Sequence, residues 1–308
     1  MTLRWNQNVP TLAVALACFI GGCDRSPPPG PAPVAASAEA TAQKANDVLS
    51  GAIQVSGSSA LQPLVNAAKE QYETRNHGAS IEVSAGGSKK GLADVAAGAV
   101  QVGDSDIFAP QDLASQLVDH KVAVVGFAAM ANKGPYNEHV SALGLAEMAK
   151  VFSGVITDWK QLGGSAQPIV VINRAPGSGT RAVFGSIVLG GGDKFVESQT
   201  EDNSGALVTK LKQTKGAISY LALSFADPDL VVLGIKTDAG VIEPSSAAIT
   251  TGTYPIWSYE HMYTKGQLSP LTKQFIDYIL SSDFQDHTLP RVKGFIPVTQ
   301  MKVSRIKD

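Results

Sequence analysis

The sequence predicts an α/β protein built from two sheet-and-helix units. Short apolar runs of strand length alternate with segments whose apolar residues recur at helical spacing, first from about residue 49 and again after Lys133. Hydrophobic residues make up 44% of the 308 residues, which is enough for a substantial core. Such alternation is typical of parallel sheets covered by helices. Two units of this kind suggest a ligand in the crevice between them, beyond the carboxyl ends of the strands.

The first unit is predicted to run strand, helix, strand, helix, strand. The strands are short apolar runs at 53–56, 81–84 and 100–103. Apolar residues at helical spacing predict one helix over 61–75 and another around residue 92. These residues are Leu61, Leu64, Val65, Ala68 and Tyr72, followed by Leu92, Val95 and Ala96.

The second unit resumes the alternation without any internal sequence repeat. Residues 168–172 predict a buried strand, a helix is expected from about residue 181, and residues 217–220 predict a further strand. An amphipathic helix is predicted near the C-terminus. Its apolar residues are Leu271, Phe275, Ile276, Ile279 and Leu280.

Residues 1–22 have the features of a signal peptide. Arg4 precedes an apolar stretch at 11–20 that is too short to span a membrane. The following Ile-Gly-Gly-Cys at 20–23 resembles a bacterial lipobox, which implies cleavage before Cys23 and a diacylglyceryl group on its thiol. The other cysteine, Cys18, lies inside the leader, so the mature chain would have no disulfide. A soluble secretory signal that is cleaved elsewhere is the alternative.

The next segment is expected to be a spacer. Residues 23–47 comprise the lipidated cysteine and a Pro/Ala-rich stretch without aromatic residues, which cannot bury enough apolar surface to fold. The lipid would hold the protein in the cell envelope, at the outer face of the cytoplasmic membrane, on the periplasmic side if the source is Gram-negative. The formal net charge of −2 argues against a nucleic-acid-binding surface.

Small polar turns follow the predicted strands. Gly-Ser-Ser-Ala at 57–60 and Ala-Gly-Gly-Ser at 85–88 each separate a strand from a helix, and Arg-Ala-Pro-Gly-Ser-Gly-Thr at 174–180 does so in the second unit. Helix N-termini carry unpaired N–H groups and partial positive charge, and glycine lets a ligand approach the backbone. One such turn is often only a helix cap. Three of them, together with Arg174, indicate an oxyanion site.

Five segments, in order, resemble the phosphate-binding proteins of bacterial phosphate ABC transporters, which belong to the periplasmic binding protein family. They are SGSSALQPL (56–64), GGS (86–88), GDSD (103–106), VINRAPGSGTR (171–181) and IWSYEHMYT (256–264). The similarity runs from about residue 50 to residue 300. It implies a two-lobed Venus-flytrap fold with the ligand in the inter-lobe cleft. Lobe one would comprise 48–126 plus 260–308, and lobe two 127–259.

The same resemblance implies a high-affinity phosphate site. The residues implied to bind phosphate are Ser59, Ala60, Ser88, Asp106, Arg174, Ser178, Gly179 and Thr180. All would donate through hydroxyl, amide or guanidinium groups, except Asp106, which would accept. No cofactor, metal ion or catalytic residue is implied. The expected partners are inorganic phosphate, a membrane-embedded permease that takes the phosphate up, and the membrane itself through Cys23, with the protein acting as a monomer.

Asp106 has a chemical rationale in such a site. At neutral pH phosphate still carries a proton, whereas sulfate carries none. A buried carboxylate accepts a hydrogen bond from the phosphate O–H but would face a lone pair of sulfate. A site built around a ligand O–H can reject the analogue that lacks it by about 10⁴–10⁵. Arg174 is expected to offset the burial of this charge. Without the resemblance, Asp106 would be interpreted as a helix cap or a solvated acid.

Two places depart from the family pattern. Lys89 and Lys90 stand at a predicted helix N-terminus, where they form either a solvated rim or a basic lip that draws anions in. Pro176 stands where some relatives have Asp. Arg174 must therefore be held by Asp106 alone or by a group that the sequence does not identify.

Three other functions stay open at this point. An enzyme is the main rival, but the sequence has no Gly-x-Ser-x-Gly, Walker or His-Glu-x-x-His motif, and its five histidines are widely separated. A binding protein for another oxyanion or a phosphate ester would keep the same fold. So would a membrane-tethered phosphate sensor.

Overall fold

The computed structural model describes residues 49–305. The predicted signal peptide at 1–22, the lipidated Cys23 and the rest of the spacer at 23–47 lie outside the described residues. Within 49–305, no helix combines the length and the apolar character that crossing a bilayer requires.

Strands and helices alternate along most of the described chain. The strands are β1 (Gly51–Gly57), β2 (Ala79–Ala85), β3 (Val102–Ser105), β4 (Leu117–Asn132), β5 (Ala142–Leu143), β6 (Val170–Arg174), β7 (Gln199–Glu201), β8 (Ala217–Ala222), β9 (Leu230–Val232), β10 (Gly234–Thr237), β11 (Gly240–Ile242), β12 (Trp257–Lys265) and β13 (Phe295–Ile296). The α-helices are α1 (Gln62–Arg75), α2 (Ser88–Ala97), α3 (Gln111–Ala114), α4 (Leu145–Phe152), α5 (Gly179–Val188), α6 (Ser204–Gln213), α7 (Ser246–Thr250) and α8 (Pro270–Leu280). Short 3₁₀ or π segments are Trp159–Leu162, Leu223–Phe225, Phe284–Thr288, Leu289–Arg291 and Val298–Gln300.

The main sheet has the strand order β2-β1-β3-β12-β4-β8-β6-β7, and β9 and β13 also pair with β4. β1 runs parallel to β2 and β3, and β6 runs parallel to β7 and β8, which confirms the predicted α/β class. The antiparallel strands β12 and β4 lie between these two parallel groups. A separate small sheet has the order β11-β10-β5.

β4 joins the two parallel groups because it changes partners along its length. Its first part, up to Gly126, pairs with β12, and its second part, from Phe127 onward, pairs with β8. This change falls where the sequence predicts a lobe boundary. The exact boundaries of the lobes, at 126/127 and 259/260, stay a prediction.

The predicted helices bury the faces expected of them, with one exception. The five apolar residues that predicted α1 are at most 3% exposed, and four of the five that predicted α8 are also buried. Leu280, in contrast, is 41% exposed, because it is the last residue of α8 and lies beyond the packed face. Each buried Leu or Phe side chain contributes about 1.5–3 kcal/mol. The packing of these helices therefore holds the turns at their N-termini in place.

Candidate anion-binding site

The site is built where four helices begin. α1, α2, α5 and α6 each follow a strand, and polar groups at or just before their first turns contact one another. Ser59 Oγ lies 3.0 Å from Ser204 Oγ, and a Cβ at Gly179 would lie only 2.1 Å from Ser88 Oγ. The free N–H groups and the positive ends of four helix dipoles are thus gathered in one region. This arrangement favours an anion.

The structure brings all the predicted site residues together. Their side chains are at most 2% exposed for Ser59, Ala60, Ser88, Asp106, Arg174, Ser178 and Thr180. Gly179 is buried with them. Polar groups this deeply buried need hydrogen-bond partners, and the partners they have define the geometry of the site.

Asp106 is held from several sides. Its Oδ1 accepts from the Ser58 hydroxyl and its Oδ2 accepts from the Thr180 hydroxyl at 2.8 Å. Its backbone N–H donates to Ser88 Oγ at 2.9 Å, and its carbonyl accepts from the Ser258 hydroxyl at 2.7 Å. It is not a cap of the next helix, because Pro110 precedes α3. An ionised carboxylate has about four acceptor positions, so Asp106 retains capacity to accept from a ligand.

Arg174 is held by neutral oxygens and has no ion pair with Asp106. Its Nη1 donates to Ser204 Oγ at 3.3 Å, and its Nη2 donates to Ser59 Oγ at 3.1 Å and to the Asp202 carbonyl at 3.4 Å. Its Nε donates to no acceptor among residues 49–305. Burial lowers the pKa of Arg174, while the negative charge of Asp106 opposes that shift. Asp106 therefore does not hold Arg174 by a direct contact, and the two charges act on each other only at longer range.

The question raised by Pro176 has an answer in this geometry. The family's aspartate would sit two residues after the arginine, but here Ser204 and the Asp202 carbonyl, both around the start of α6, support the guanidinium instead. Hydroxyl and carbonyl oxygens leave the positive charge of Arg174 uncompensated at close range. That charge is available to an anion.

Ser178 and Ser88 sit at the starts of two helices that face each other. The Ser178 hydroxyl caps α5 by accepting from the Arg181 N–H at 3.2 Å, which leaves its own proton free to donate. Gly87 precedes Ser88 with φ of +84°, and a Cβ there would lie 2.7 Å from the Gly177 carbonyl oxygen. Glycine at 87 therefore allows the two turns to meet.

The amides at the first turn are partly engaged. The Ala60 N–H donates to Ser58 Oγ at 3.0 Å. Ser59 Oγ accepts from the Ser204 N–H at 3.1 Å as well as from Arg174. Ser59 is thus both a candidate ligand group and a contact between the starts of α1 and α6.

Sequence reasoning missed several buried polar residues of this region, among them Ser58, Ser204 and Glu260. Ser204 carried a readable signal. Asp-Asn-Ser-Gly at 202–205 follows β7 and precedes an apolar helix, and Asn203 caps that helix by accepting from the Ala206 N–H at 2.8 Å. It is the same strand–turn–helix pattern that identified the other three turns.

Three carboxyl groups are buried at this end of β3 and β12. Asp104, Asp106 and Glu260 are each at most 1% exposed. Burial first, and the charge of Asp106 second, raises the pKa of both Asp104 and Glu260 well above the ordinary range. Asp106 accepts hydrogen bonds on this side of the site, whereas Arg174 donates them on the other.

The potential metal-ligating side chains among residues 49–305 are not gathered in a metal-binding arrangement. No group of three or more His, Cys, Asp or Glu side chains is arranged to hold a metal ion in that range. The buried His261 bonds through Nδ1 to Asp119 at 2.7 Å and contacts the Phe108 and Tyr263 rings. The site hydroxyls bond to Asp106, to Arg174, to backbone N–H groups and to one another.

The sequence is similar to a family of binding proteins. Residues 34–283 match the family model described as the PBP superfamily domain. The chain is 44% identical over 265 residues to the phosphate-binding protein PstS of Bacillus subtilis (strain 168), a match that covers 85% of this chain and 86% of that protein. It is 25% identical to a phosphate-binding protein PstS of Staphylococcus epidermidis (strain RP62A), over 77% of each chain.

The fold is similar to solved structures. A crystal structure with bound phosphate from Clostridium perfringens, assigned to the substrate-binding proteins of phosphate ABC transporters, superposes with a TM-score of 0.74 at 28% identity. The match covers 80% of this chain and all of that one. An ABC-type phosphate transport receptor from Vibrio cholerae superposes with a TM-score of 0.62 at 22% identity, over 79% of this chain and 99% of that one. The second match bears on the fold alone.

Proposed function

Since the chain belongs to the PBP superfamily and, within it, to the phosphate-binding proteins of ABC transporters, we propose that it binds inorganic phosphate outside the cytoplasm and delivers it to a membrane permease. It is the substrate-binding component of phosphate uptake. Its fold is the two-lobed one of this family. The observation that carries the proposal is the meeting of four helix starts, the buried guanidinium of Arg174 and the acceptor Asp106 in one enclosed place.

The donors proposed to hold phosphate come from both parallel groups of the sheet. Ser59, Ala60 and Ser88 lie after β1 and β2, and the other donors lie at the end of β6 and the start of α5, namely Arg174, Ser178, Gly179 and Thr180. Arg174 has five N–H donors and three of them are engaged. The remaining two would face a phosphate oxygen. Fixed donors in a site closed to water bind an anion more strongly than the same groups in solution.

Asp106 gives the proposed site its selectivity. Its carboxylate would accept the O–H of hydrogen phosphate or dihydrogen phosphate through one of its remaining lone pairs. Sulfate has no proton to offer and would be repelled there. This step involves hydrogen bonding only, so the phosphate keeps its proton throughout.

The enclosure of the site favours inorganic phosphate over a phosphate ester. Gly87 approaches Gly177, and Gly179 approaches Ser88, so closely that no side-chain carbon fits between them. An ester would need a path for its organic group through this contact. A phosphate sensor would use the same closed site, and it differs only in whether a permease accepts the ligand.

The protein is proposed to act without catalysis. Phosphate ester turnover would need a general base beside a hydroxyl nucleophile. The acidic group that bonds to the site hydroxyls is Asp106, and we assign the donors from Ser58 and Thr180 to holding this carboxylate as an acceptor for the ligand, not to activating a nucleophile. Release of phosphate from an ester at a measurable rate would contradict this part of the proposal.

The binding proposal is tested by titration calorimetry with phosphate and with sulfate. We expect phosphate to bind with micromolar or tighter affinity, about −8 kcal/mol or better, and sulfate not to compete. Asp106→Asn is expected to weaken the preference for phosphate, since an amide donates to sulfate as readily as to phosphate. Asp112→Asn, an exposed change of the same kind on α3, is the control. Equal binding of the two anions by the wild-type protein would overturn the role of Asp106.

Lipid anchoring at Cys23 is a separate proposal, supported by the lipobox-like residues 20–23. We expect Cys23→Ser to abolish fatty-acid incorporation and to move the protein from the membrane fraction to the soluble fraction. Cys18→Ser, inside the same leader, is the matched control and should leave both unchanged. Persistent acylation of the Cys23→Ser variant would refute the anchor.

A further inference from the structure

Glu260 is a buried acid that phosphate binding, as proposed above, leaves without a role. Its side chain is 0% exposed, and neither carboxyl oxygen receives a hydrogen bond from an N–H or hydroxyl donor among residues 49–305. An ionised carboxylate in this place would lose its hydration without compensation. The group is therefore far more stable with a proton than without one.

β12 directs Glu260 toward the phosphate site. Successive residues of a strand face opposite sides. The rings on one side of β12 contact each other in succession, in the order Trp257, Tyr259, His261 and Tyr263. Ser258 and Glu260 lie on the other side, where the Ser258 hydroxyl donates to the Asp106 carbonyl. The side chain of Glu260 thus belongs to the same face of β12 that supports Asp106.

The charged groups that act directly on Glu260 are acids. β12 and β3 pair with His261 opposite Ser105 and Met262 opposite Asp104, and continuing this register by one residue brings Glu260 opposite Asp106. The negative charges of Asp106 and Asp104 both act on the Glu260 carboxyl. Burial contributes the largest part of the rise in the pKa of Glu260, and the charge of Asp106 contributes the next largest.

Among the described residues 49–305, the charged groups that shift the pKa of Glu260 are Asp106 and Asp104, with no lysine or arginine beside them. β4 places Ala123 opposite it. On β12 itself, His261 faces the aromatic side and bonds to Asp119. The guanidinium of Arg174, at the end of β6, acts on Asp106. Asp106 is therefore the charged group that acts most strongly on Glu260.

Two carboxyl groups form a hydrogen bond only when one of them carries a proton. Asp106 receives O–H donors from Ser58 and Thr180, whereas Glu260 receives none. Donors stabilise the ionised form of a carboxyl group. The proton between the two carboxyls therefore resides on Glu260, and Asp106 accepts the hydrogen bond.

We propose that Glu260 is a specificity-determining residue of the phosphate site, which holds a proton at neutral pH and donates its O–H to Asp106, so that Asp106 stays an acceptor for the ligand. The part of this inference that concerns selectivity rests on the proposed phosphate-binding function. The location of the proton on Glu260 does not depend on that function. Nothing is transferred on binding, because the proton of Glu260 stays on Glu260 and that of phosphate stays on phosphate. Without this donor, the Asp106 carboxylate would lose one of the groups that hold it in place as an acceptor for the ligand.

Infrared spectroscopy tests the location of the proton directly, without any ligand. At neutral pH we expect the wild-type protein to show the C=O stretch of a protonated carboxylic acid, and Glu260→Gln to lose a component of it. Glu82→Gln, the same change at an exposed position on β2, should leave the band intact. Asp104→Asn shows how much of this infrared band comes from Asp104, the other buried acid with a raised pKa. A band that Glu260→Gln leaves unaltered would overturn the proposal.

Sulfate competition at a series of pH values tests the consequence for selectivity. We expect Glu260→Leu to bind phosphate about tenfold or more weakly at neutral pH, since a hydrogen bond to a charged group is lost. In that variant sulfate should compete with phosphate more strongly than in the wild type, because Asp106 is held less firmly as an acceptor for the phosphate O–H. Glu260→Gln, whose amide still donates, should restore much of the wild-type profile.

The outcomes of these measurements are separable. Identical sulfate profiles for wild type and Glu260→Leu, with the fold verified by thermal melting, would overturn the specificity role. If Glu260→Leu does not fold, the sulfate competition profile and the infrared band of Glu260→Gln are used instead to test the proposal. Failure of the wild-type protein to bind phosphate would instead overturn the proposed function, and the infrared result would still decide whether Glu260 holds the proton.

Discussion

Ser204 connects the Arg174 guanidinium to the Ser59 hydroxyl. Its hydroxyl accepts from Arg174 Nη1 and lies 3.0 Å from Ser59 Oγ, while its N–H donates to the same Ser59 oxygen. Ser204 helps to hold the Arg174 guanidinium in place. In some relatives an acid at the position of Pro176 would have this role. Because Ser204 is neutral, it orients the guanidinium without competing with an anionic ligand for its charge.

Ser204→Ala is therefore expected to weaken phosphate binding by about five- to tenfold, which corresponds to the loss of one hydrogen bond worth about 1 kcal/mol. The measurement is calorimetric titration of the variant beside the wild type. Thr209→Ala, at an exposed position later in the same helix, removes a hydroxyl far from Arg174 and should change nothing. Equal affinities for Ser204→Ala and the wild type would show that Arg174 needs no support from α6.

At the scale of the element, the start of α5 depends on the absence of a side chain. A Cβ at Gly179 would lie 2.1 Å from Ser88 Oγ and 2.9 Å from Asp106 Cβ. Both neighbours are buried and hydrogen-bonded, so neither can yield without breaking the site. The first turns of α5 and α2 can therefore meet only around glycine.

Gly179→Ala is expected to fold but to lose at least about 100-fold in phosphate affinity, because alanine suits a helix start yet blocks the approach of Ser88. Gly205→Ala is the matched control. Gly205 is the second residue of α6, in the first turn of that helix, and a Cβ there would meet only the Asn203 side chain, at 3.6 Å. The two melting temperatures and the two dissociation constants give the comparison. Tight binding by Gly179→Ala would contradict the closed arrangement of these turns.

The local elements were predictable from the sequence and the long-range ones were not. Apolar spacing and polar turns sufficed to predict β1, α1 and α5, since each depends on neighbours a few residues away. Two predicted strands began too early: residues 100–103 and 168–172 correspond to β3 and β6, each of which starts two residues later. The antiparallel insertion of β4 and β12 was missed, because strand pairing across a hundred residues leaves no local pattern.

The candidate site divides in the same way. The polar turns after the strands, together with Arg174, predicted an oxyanion site, whereas the individual ligand residues, and Asp106 above all, followed from the family resemblance. Ser204 had the same pattern and could have been found. Glu260 could not, because a single acid within a strand indicates neither burial nor proximity to Asp106. Its surroundings are created by β3, which pairs with β12 in antiparallel register at Met262 and Asp104.

At the scale of the whole molecule, the buried acids couple stability to pH. Asp104 and Glu260 have raised pKa values in the folded protein, whereas in the unfolded chain they would titrate near the ordinary values of 3.8 and 4.5. Above those values the unfolded chain releases protons that the folded protein keeps. Their contribution to stability is thus fully present below the ordinary values and is lost as pH rises toward the raised ones.

We therefore expect the urea midpoint of the wild-type protein to fall between mildly acidic and alkaline pH, and Glu260→Gln and Asp104→Asn each to flatten that decline. A tenfold difference in proton affinity between the folded and the unfolded state corresponds to about 1.4 kcal/mol of stability, so the change should be readily measured. Glu82→Gln, an exposed control, should follow the wild-type curve. A wild-type midpoint that rises over the same range, with the variants unchanged, would show that these acids are ionised in the folded protein.

The charge of the whole molecule does not help an anion to arrive, since the formal net charge is −2. Attraction must come from charges near the site. Lys89 follows Ser88, its backbone N–H donates to the Gly177 carbonyl at 3.1 Å, and its side chain is exposed. Lys90 is paired with Asp94 at 2.5 Å, which cancels much of its field. Of the two, Lys89 is therefore the better candidate for a basic lip.

Lys89→Ala/Lys90→Ala is accordingly expected to slow phosphate association at low ionic strength by a few-fold, with little effect on dissociation, and the difference should shrink as salt screens the field. Lys89→Ala alone should account for most of the effect, and Lys90→Ala for little of it. Stopped-flow measurement of association and dissociation rates over a salt series gives the comparison. If the association rates of all the variants match the wild type at low salt, both lysines are solvated rim residues.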